Sequence, residues 1–280
     1  MLRKCVRLPA GVGLAALFFL ALPSPVLAQA YLGSDLDPYA VFGGTTVTCT
    51  GAGSVTGDVG VSPGFLAAIT GFGGAPCTAT GTLRGSAASD PAKADLVTAY
   101  GTLDALGCSS TVGPDLTGLS LVPGVYCVTA AATNLSGTLT LDAAGDTAAT
   151  WTFKMSSSLI TSPNSTVDVI NGGNDCGVQW LVRSSATIDT DTTFVGNILA
   201  LTAVTMNDGA SLVGRALARN AAVTMDNNNI SFAACAAGGG PPDVPTLSTW
   251  AVIGLMGLLA MAGFSALRRR QSLTGQRFGL

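Results

Sequence analysis

The chain has 280 residues, 48 % of them hydrophobic and 10 % charged, with 36 glycines, so it can bury a sizeable core and is too apolar for disorder. It contains no histidine, which excludes Ser-His-Asp, Cys-His and histidine-zinc sites. Between Gln29 and Asp243 six basic residues (Arg84, Lys93, Lys154, Arg183, Arg215 and Arg219) stand against sixteen Asp, a formal balance of −10 that argues against a nucleic-acid partner.

At the N-terminus, Arg3, Lys4 and Arg7 precede the apolar run from Gly11 to Leu22, and Ser24-Pro-Val-Leu-Ala28 ends in small residues. This is the pattern of a secretory signal peptide over residues 1–28, cleaved after Ala28 or Ala30. All the acidic residues are Asp and none is Glu. Asp prefers caps and turns, so with abundant Thr, Val and Gly the mature chain is expected to be mostly β.

From 31 to 86, short β-like segments such as Thr45-Thr-Val-Thr48 and Ser54-Val-Thr-Gly-Asp-Val-Gly-Val61 alternate with glycine turns. One helix is predicted over 91–106: Asp90 can cap it, Pro91 fits its first turn, and Leu96, Tyr100 and Leu103 recur on one face. Strands resume in Leu119-Ser-Leu-Val-Pro-Gly-Val-Tyr-Cys127, Gly137-Thr-Leu-Thr-Leu-Asp142 and Thr150-Trp-Thr-Phe-Lys154.

Beyond these the chain repeats itself. Ser185-Ala-Thr-Ile-Asp189, Ala203-Val-Thr-Met-Asn207 and Ala222-Val-Thr-Met-Asp226 recur 18 and 19 residues apart. Thr193-Phe-Val-Gly-Asn-Ile-Leu-Ala-Leu201 aligns with Ser211-Leu-Val-Gly-Arg-Ala-Leu-Ala-Arg219, again 18 apart, and Val178-Gln-Trp-Leu-Val182 stands one coil earlier. A short steady period marks a solenoid, with at least two strands and hence two faces per coil. Because side chains alternate along a strand, inward Ala186, Ile188, Val204, Met206, Val223 and Met225 leave Thr187, Thr205 and Thr224 outward, as a ladder with about 4.7–4.9 Å between rungs.

A linker, residues 237–245, carries Gly238-Gly-Gly-Pro-Pro242. The tail, 246–280, holds an uncharged stretch from Trp250 to Leu267 just long enough to span a bilayer, and Arg268, Arg269 and Arg270 then place the C-terminus in the cytoplasm. Val244-Pro-Thr-Leu, Trp250, the apolar stretch and the arginines resemble the bacterial C-terminal protein-sorting tail of the PEP-like, "IPTL" type. That likeness implies a Gram-negative bacterium, contact with inner-membrane sorting machinery, a transmembrane helix held at least transiently, and display at the cell surface or release. An ordinary single-span anchor is the alternative. Once Cys5 leaves with the signal peptide, six cysteines remain, an even number that suits disulfides in an exported chain. Cys108 and Cys127 flank a short loop and are expected to pair; the other pairings stay open.

The ordered set Gly57-Asp-Val-Gly-Val-Ser-Pro-Gly64, Ala94-Asp-Leu with Ala99-Tyr100, Asp115-Leu-Thr-Gly118, Pro123-Gly-Val-Tyr-Cys127, Gly137-Thr-Leu-Thr-Leu-Asp142, Thr193 to Leu201 and Gly214-Arg-Ala-Leu-Ala-Arg219 resembles the microbial ice-binding-protein family. The likeness covers about Leu32 to Ile230, within a domain bounded at 31–236. It implies a mainly β fold, a right-handed discontinuous β-solenoid of triangular section with one long helix alongside. It also implies adsorption to ice through one flat face, often carrying Thr-Ala/Gly-x-Thr/Asn. Thr202-Ala-Val-Thr205 matches directly, Ser185-Ala-Thr-Ile188 and Ala221-Ala-Val-Thr224 match in part, and Ile160 stands where another threonine is usual.

The expected ice contacts are therefore Thr187, Thr202, Thr205 and Thr224, with Ser185 and Asn207 at the margins. No catalytic residue, metal or cofactor is expected, and the chain is expected to act as a monomer. A rival is a stiff surface module that recognises a polymer, a glycan or another cell; plain β propensity for Thr is the simplest account of the ladder. An enzyme is disfavoured because polysaccharide-degrading β-helices gather several carboxylates or basic residues on one face, whereas the Asp residues here fall mostly in turns. Asp189-Thr-Asp191 and Asp226-Asn-Asn-Asn229 read as turn chemistry rather than calcium loops. Arg215 and Arg219 are expected to pair with turn carboxylates.

Overall fold

The computed structural model describes residues 32–232, apart from Ala75. Strands of two to five residues, each ended by a bend or turn, form three sheets of nine, seven and eight strands. Every strand pairing is parallel, and successive coils place one strand in each sheet, so the spiral has three faces, as a triangular section requires.

The order along the first sheet shows the route of the chain: Leu83–Arg84, Asp58–Val61, Tyr39–Gly43, Ala216–Ala218, Asn197–Ala200, Val178–Val182, Trp151–Met155, Gly124–Val128, Ser110–Val112. The N-terminal coils build one end of the spiral. The helix comes next, and the chain then restarts at the opposite end and climbs back. The last coil docks on the first, with Ala216–Ala218 beside Tyr39–Gly43, Val223–Asp226 beside Val47–Thr50, and Asn229–Ser231 beside Ser54–Thr56.

The repeat of 18 residues has a steric cause at one corner. Gly196 and Gly214 both have positive φ, +111° and +148°, and a Cβ on Gly214 would lie 2.1 Å from the Gly196 carbonyl oxygen. Only glycine fits where one coil turns over the next. Inside the spiral, the rings of Tyr126, Phe153, Trp180 and Phe194 follow one another at centroid spacings of 5.6, 4.3 and 4.8 Å. The Trp180 Nε1 hydrogen is donated to the Val195 carbonyl, so the buried indole keeps a polar partner.

The central strands of the first sheet, among them Tyr39–Gly43, Val178–Val182, Asn197–Ala200 and Ala216–Ala218, are buried on both sides, which explains their unbroken apolar runs. Their outer residues Phe42, Leu181, Leu199 and Leu217 receive Ala92, Leu96, Ala99, Tyr100 and Leu103 of the helix, Asp90–Ala105. The predicted stripe is therefore the packed one, but the cap differs. Ser89 is the N-cap residue and its hydroxyl donates to the Arg84 carbonyl, while Asp90 sits in the first turn and accepts from the Ser62 hydroxyl. Lys154 donates to the Asp104 and Leu106 carbonyls and so satisfies the far end of the helix.

Disulfides join Cys108 to Cys127, as expected, and Cys49 to Cys77, which ties the terminal coil to its neighbour; Cys176 is disulfide-bonded as well. The proposed signal peptide and the tail with its transmembrane segment lie outside the described residues.

Candidate functional site

With the helix on the first sheet, the second and third sheets keep a free outer surface. On the second, the outward residues of seven adjacent strands stand in register as Asn134, Ile160, Thr187, Thr205, Thr224, Thr48 and Thr70. Five consecutive rungs are thus threonine. The inward neighbours Ala186, Val204, Val223, Val47 and Ile69 are buried, which fixes the orientation of each threonine. At about 4.8 Å per rung the five span about 19 Å.

The structure aligns Thr187, Thr205 and Thr224 as the sequence predicts, and adds Thr48 and Thr70 from the N-terminal coils. The ladder therefore crosses the junction between the two ends of the domain. Thr46-Val-Thr-Cys49 has the same small-Val-Thr-apolar pattern as Ala203-Val-Thr-Met206, so a signal existed, but chain order hides that these strands are neighbours.

Beside the ladder, two residues before each threonine and just ahead of each strand, come Ser185, Ala203, Ala222, Thr46 and Ala68, all small. Ser185 belongs to this column, and its hydroxyl accepts from the Ala203 amide. Thr202 does not: it occupies the bend before the strand, exposed, with its N–H donated to Ser184 and its carbonyl accepting from Ala221. On the other flank Asn207 donates its amide to Asp189, and Thr50 donates its hydroxyl to Asp226.

Hydroxyl bonding divides the columns. Among the described residues the side chains of Thr187, Thr205 and Thr224 have no hydrogen-bond partner, whereas the flanking Asp189, Asn207, Asp226 and Thr50 are bonded to one another in pairs. Thr70 and Thr48 share one bond of 3.3 Å. The Asn207 amide and the Thr190 backbone N–H hold the Asp189 carboxyl below the usual carboxylate range. The central column is left uncharged and open to water, with stiff β-branched side chains.

The domain from Val41 to Ser231 matches the family model described as Ice-binding-like, and residues 244–270 match the IPTL-CTERM motif. The chain belongs to the ice-binding-like family. An ice-binding protein of Nostoc sp. (strain HG1) is 43 % identical over 198 residues, covering 70 % of this chain and 71 % of its own. A solved ice-binding protein from an Antarctic biological consortium is 39 % identical with a TM-score of 0.66, covering 71 % of this chain and 89 % of its own. Another, from the Antarctic ascomycete Antarctomyces psychrotrophicus, is 32 % identical with a TM-score of 0.67, over 71 % and 96 %.

This ice-binding-like domain has a second polar column, on its third sheet: Thr138, Thr166, Thr193, Ser211, Asn229, Ser54 and Thr78 in register. Threonines are fewer there and broken by Ser and Asn. The adjoining column carries Asp168, Val195 and Val213 in place of uniformly small residues. The outward column of the second sheet is the more uniform of the two in residue type.

Other expected features resolve structurally. Arg215 is fully buried, pairs with Asp37 at 2.9 Å in the turn before Tyr39, donates to the Tyr39 carbonyl and the Asn197 side chain, and lies under the Phe232 ring. Arg219 departs from expectation, because its guanidinium lies 5.4 Å over the Tyr100 ring of the helix rather than beside a turn carboxylate. Asn228 braces a corner by accepting from the Asp226 amide and donating to the Asn207 and Ala210 carbonyls.

Proposed function

We propose that this chain is an exported ice-binding protein that adsorbs to ice through the outer surface of the second sheet. The observation that carries the reading is the run of five in-register threonines, three of them (Thr187, Thr205 and Thr224) with open hydroxyls, flanked by small residues on one side and by self-bonded polar pairs on the other. Rigid backbone rungs and stiff χ1 angles mean that little conformational entropy remains to be lost when ordered water settles against the face. Threonine methyls and hydroxyls can hold that water in a lattice-like array before contact. Adsorbed molecules would pin the ice front, so that growth between them must curve and slows.

The contacts proposed are Thr187, Thr205 and Thr224, extended to Thr48 and Thr70, with Thr202, Ser185 and Asn207 at the borders. The chain acts without catalysis. The N-terminal segment directs export, the apolar stretch Trp250–Leu267 holds the protein in the membrane at least transiently, and the sorting tail leads to display or release at the surface of a Gram-negative bacterium. These points rest on the sequence and on the matched motif at 244–270. That tail also supports a second reading, a surface adhesion module. The two separate on recrystallisation: Thr205→Tyr should abolish inhibition with an unchanged circular-dichroism spectrum, and equal activity in both proteins would remove Thr205 from the site.

A further inference from the structure

The outer surface of the second sheet changes character at one residue. Ile160 is 42 % exposed, and its register partners are Asn134 on one side and Thr187 on the other. It belongs to neither apolar cluster of the interior. The buried positions in its strand are Leu159 and Thr161, so Ile160 contributes little to the core and faces solvent within the column of the ladder. Its Cδ1 reaches one carbon–carbon bond, about 1.5 Å, beyond the level of a threonine methyl. The branched Cβ restricts χ1, so the side chain does not readily lie flat.

A flexible polymer could drape over such a step, but a rigid planar partner cannot. Laid on the threonines, it meets Ile160 first, and behind it Asn134, whose side-chain oxygen and nitrogen also reach one bond past the level of a threonine methyl. Resting on the reading of this face as an ice surface, we infer that Ile160 sets one end of the docking plane, which runs from Thr187 across the chain junction to Thr70 and stops there. At the other end the plane stops with the sheet, whose last strand is Ile69–Thr70. Along one flank it stops at the bonded pairs Asp189–Asn207 and Asp226–Thr50.

Trimming the Ile160 side chain should therefore improve function rather than impair it. A threonine at 160 adds one rung to the plane, which lengthens it from four rung spacings to five, about 19 to about 24 Å. Thermal hysteresis and recrystallisation inhibition are to be compared at equal concentration for purified full-length wild type, Ile160→Thr, Ile160→Val and Thr205→Tyr, with thermal melts by circular dichroism. Ile160→Thr should raise hysteresis by about a quarter, in proportion to the longer contact. Ile160→Val, which removes only the projecting carbon, should raise it less, and neither melt should move because the side chain lies outside the core. If Ile160→Thr and Ile160→Val match or fall below wild type while Thr205→Tyr is inactive, the face stands and its proposed boundary fails. If Thr205→Tyr remains as active as wild type, the reading of the face itself fails, and the boundary with it.

Discussion

Arg215 is where the two ends of this domain are locked together, and replacing it with alanine should be costly. Its guanidinium is 0 % exposed and bonds to the Tyr39 carbonyl at 3.1 Å, the Asp37 carbonyl at 2.8 Å, the Asp37 carboxylate at 2.9 Å and the Asn197 side chain at 3.3 Å. Asp37 is 52 % exposed, so water can re-solvate it, but the Tyr39 carbonyl and Asn197 lie in the interior and would lose a donor. Breaking a buried charged network by removing one partner costs about 3–5 kcal/mol, and in a domain of this size each kcal/mol shifts Tm by about 2–4 °C. Arg215→Ala should therefore melt about 6–20 °C lower by calorimetry. A shift under about 2 °C, less than 1 kcal/mol, would refute the claim that this network holds the junction.

Four further outcomes follow from the same geometry. Thr48→Tyr, on the N-terminal side of the junction, should impair ice adsorption as Thr205→Tyr does while leaving the circular-dichroism spectrum intact; full activity would confine the site to the C-terminal coils. Gly214→Ala, at φ +148° and against the Gly196 carbonyl, should lower stability by at least about 3 kcal/mol in urea titration, and a neutral result would contradict the close stacking of coils. Removing the Cys49–Cys77 bridge, which closes a separation of 28 residues, should cost about 3–4 kcal/mol by the loop-entropy model, read as a fall in the urea midpoint. Hydrogen-bond donors hold Asp115 (chiefly the Thr117 hydroxyl), Asp142 (chiefly the Asn171 amide) and Asp189 (chiefly the Asn207 amide) below the ordinary carboxylate range. Their stabilising effect is present above the unfolded value of about 3.9 and is lost as pH falls through the lower folded values. Burial, with Asp168 nearby, raises Asp175 and opposes this from one site. Tm should accordingly fall on acidification below about pH 4, and a rise would contradict the assignment.

What the sequence disclosed was what is periodic. The 18-residue repeats revealed inward Val204 and Met206 beneath outward Thr205, and the structure stacks Ala186, Val204 and Val223 over one another as that pattern requires. Leu96, Tyr100 and Leu103 marked the packed side of the helix because a single stripe meets a single sheet. What stayed hidden is what depends on neighbours distant in the chain. Thr48 stacks on Thr224, 176 residues away, and no local pattern states that the first coils close onto the last. The site residue Thr202 fitted a short motif but falls in a bend, since alternation holds only within the strand that begins at Val204. Arg219 was assigned a carboxylate partner, yet the helix brings the Tyr100 ring to it, an outcome set by packing between elements.

The central claim is that a planar, uncharged threonine ladder spanning the chain junction is the surface that meets ice. Slow freezing of a dilute solution of the purified full-length chain around a seeded ice hemisphere tests it most directly. Wild type should enter the ice, and the double variant Thr205→Tyr with Thr48→Tyr should be left in the liquid. Equal exclusion of both, or equal uptake, would contradict the account.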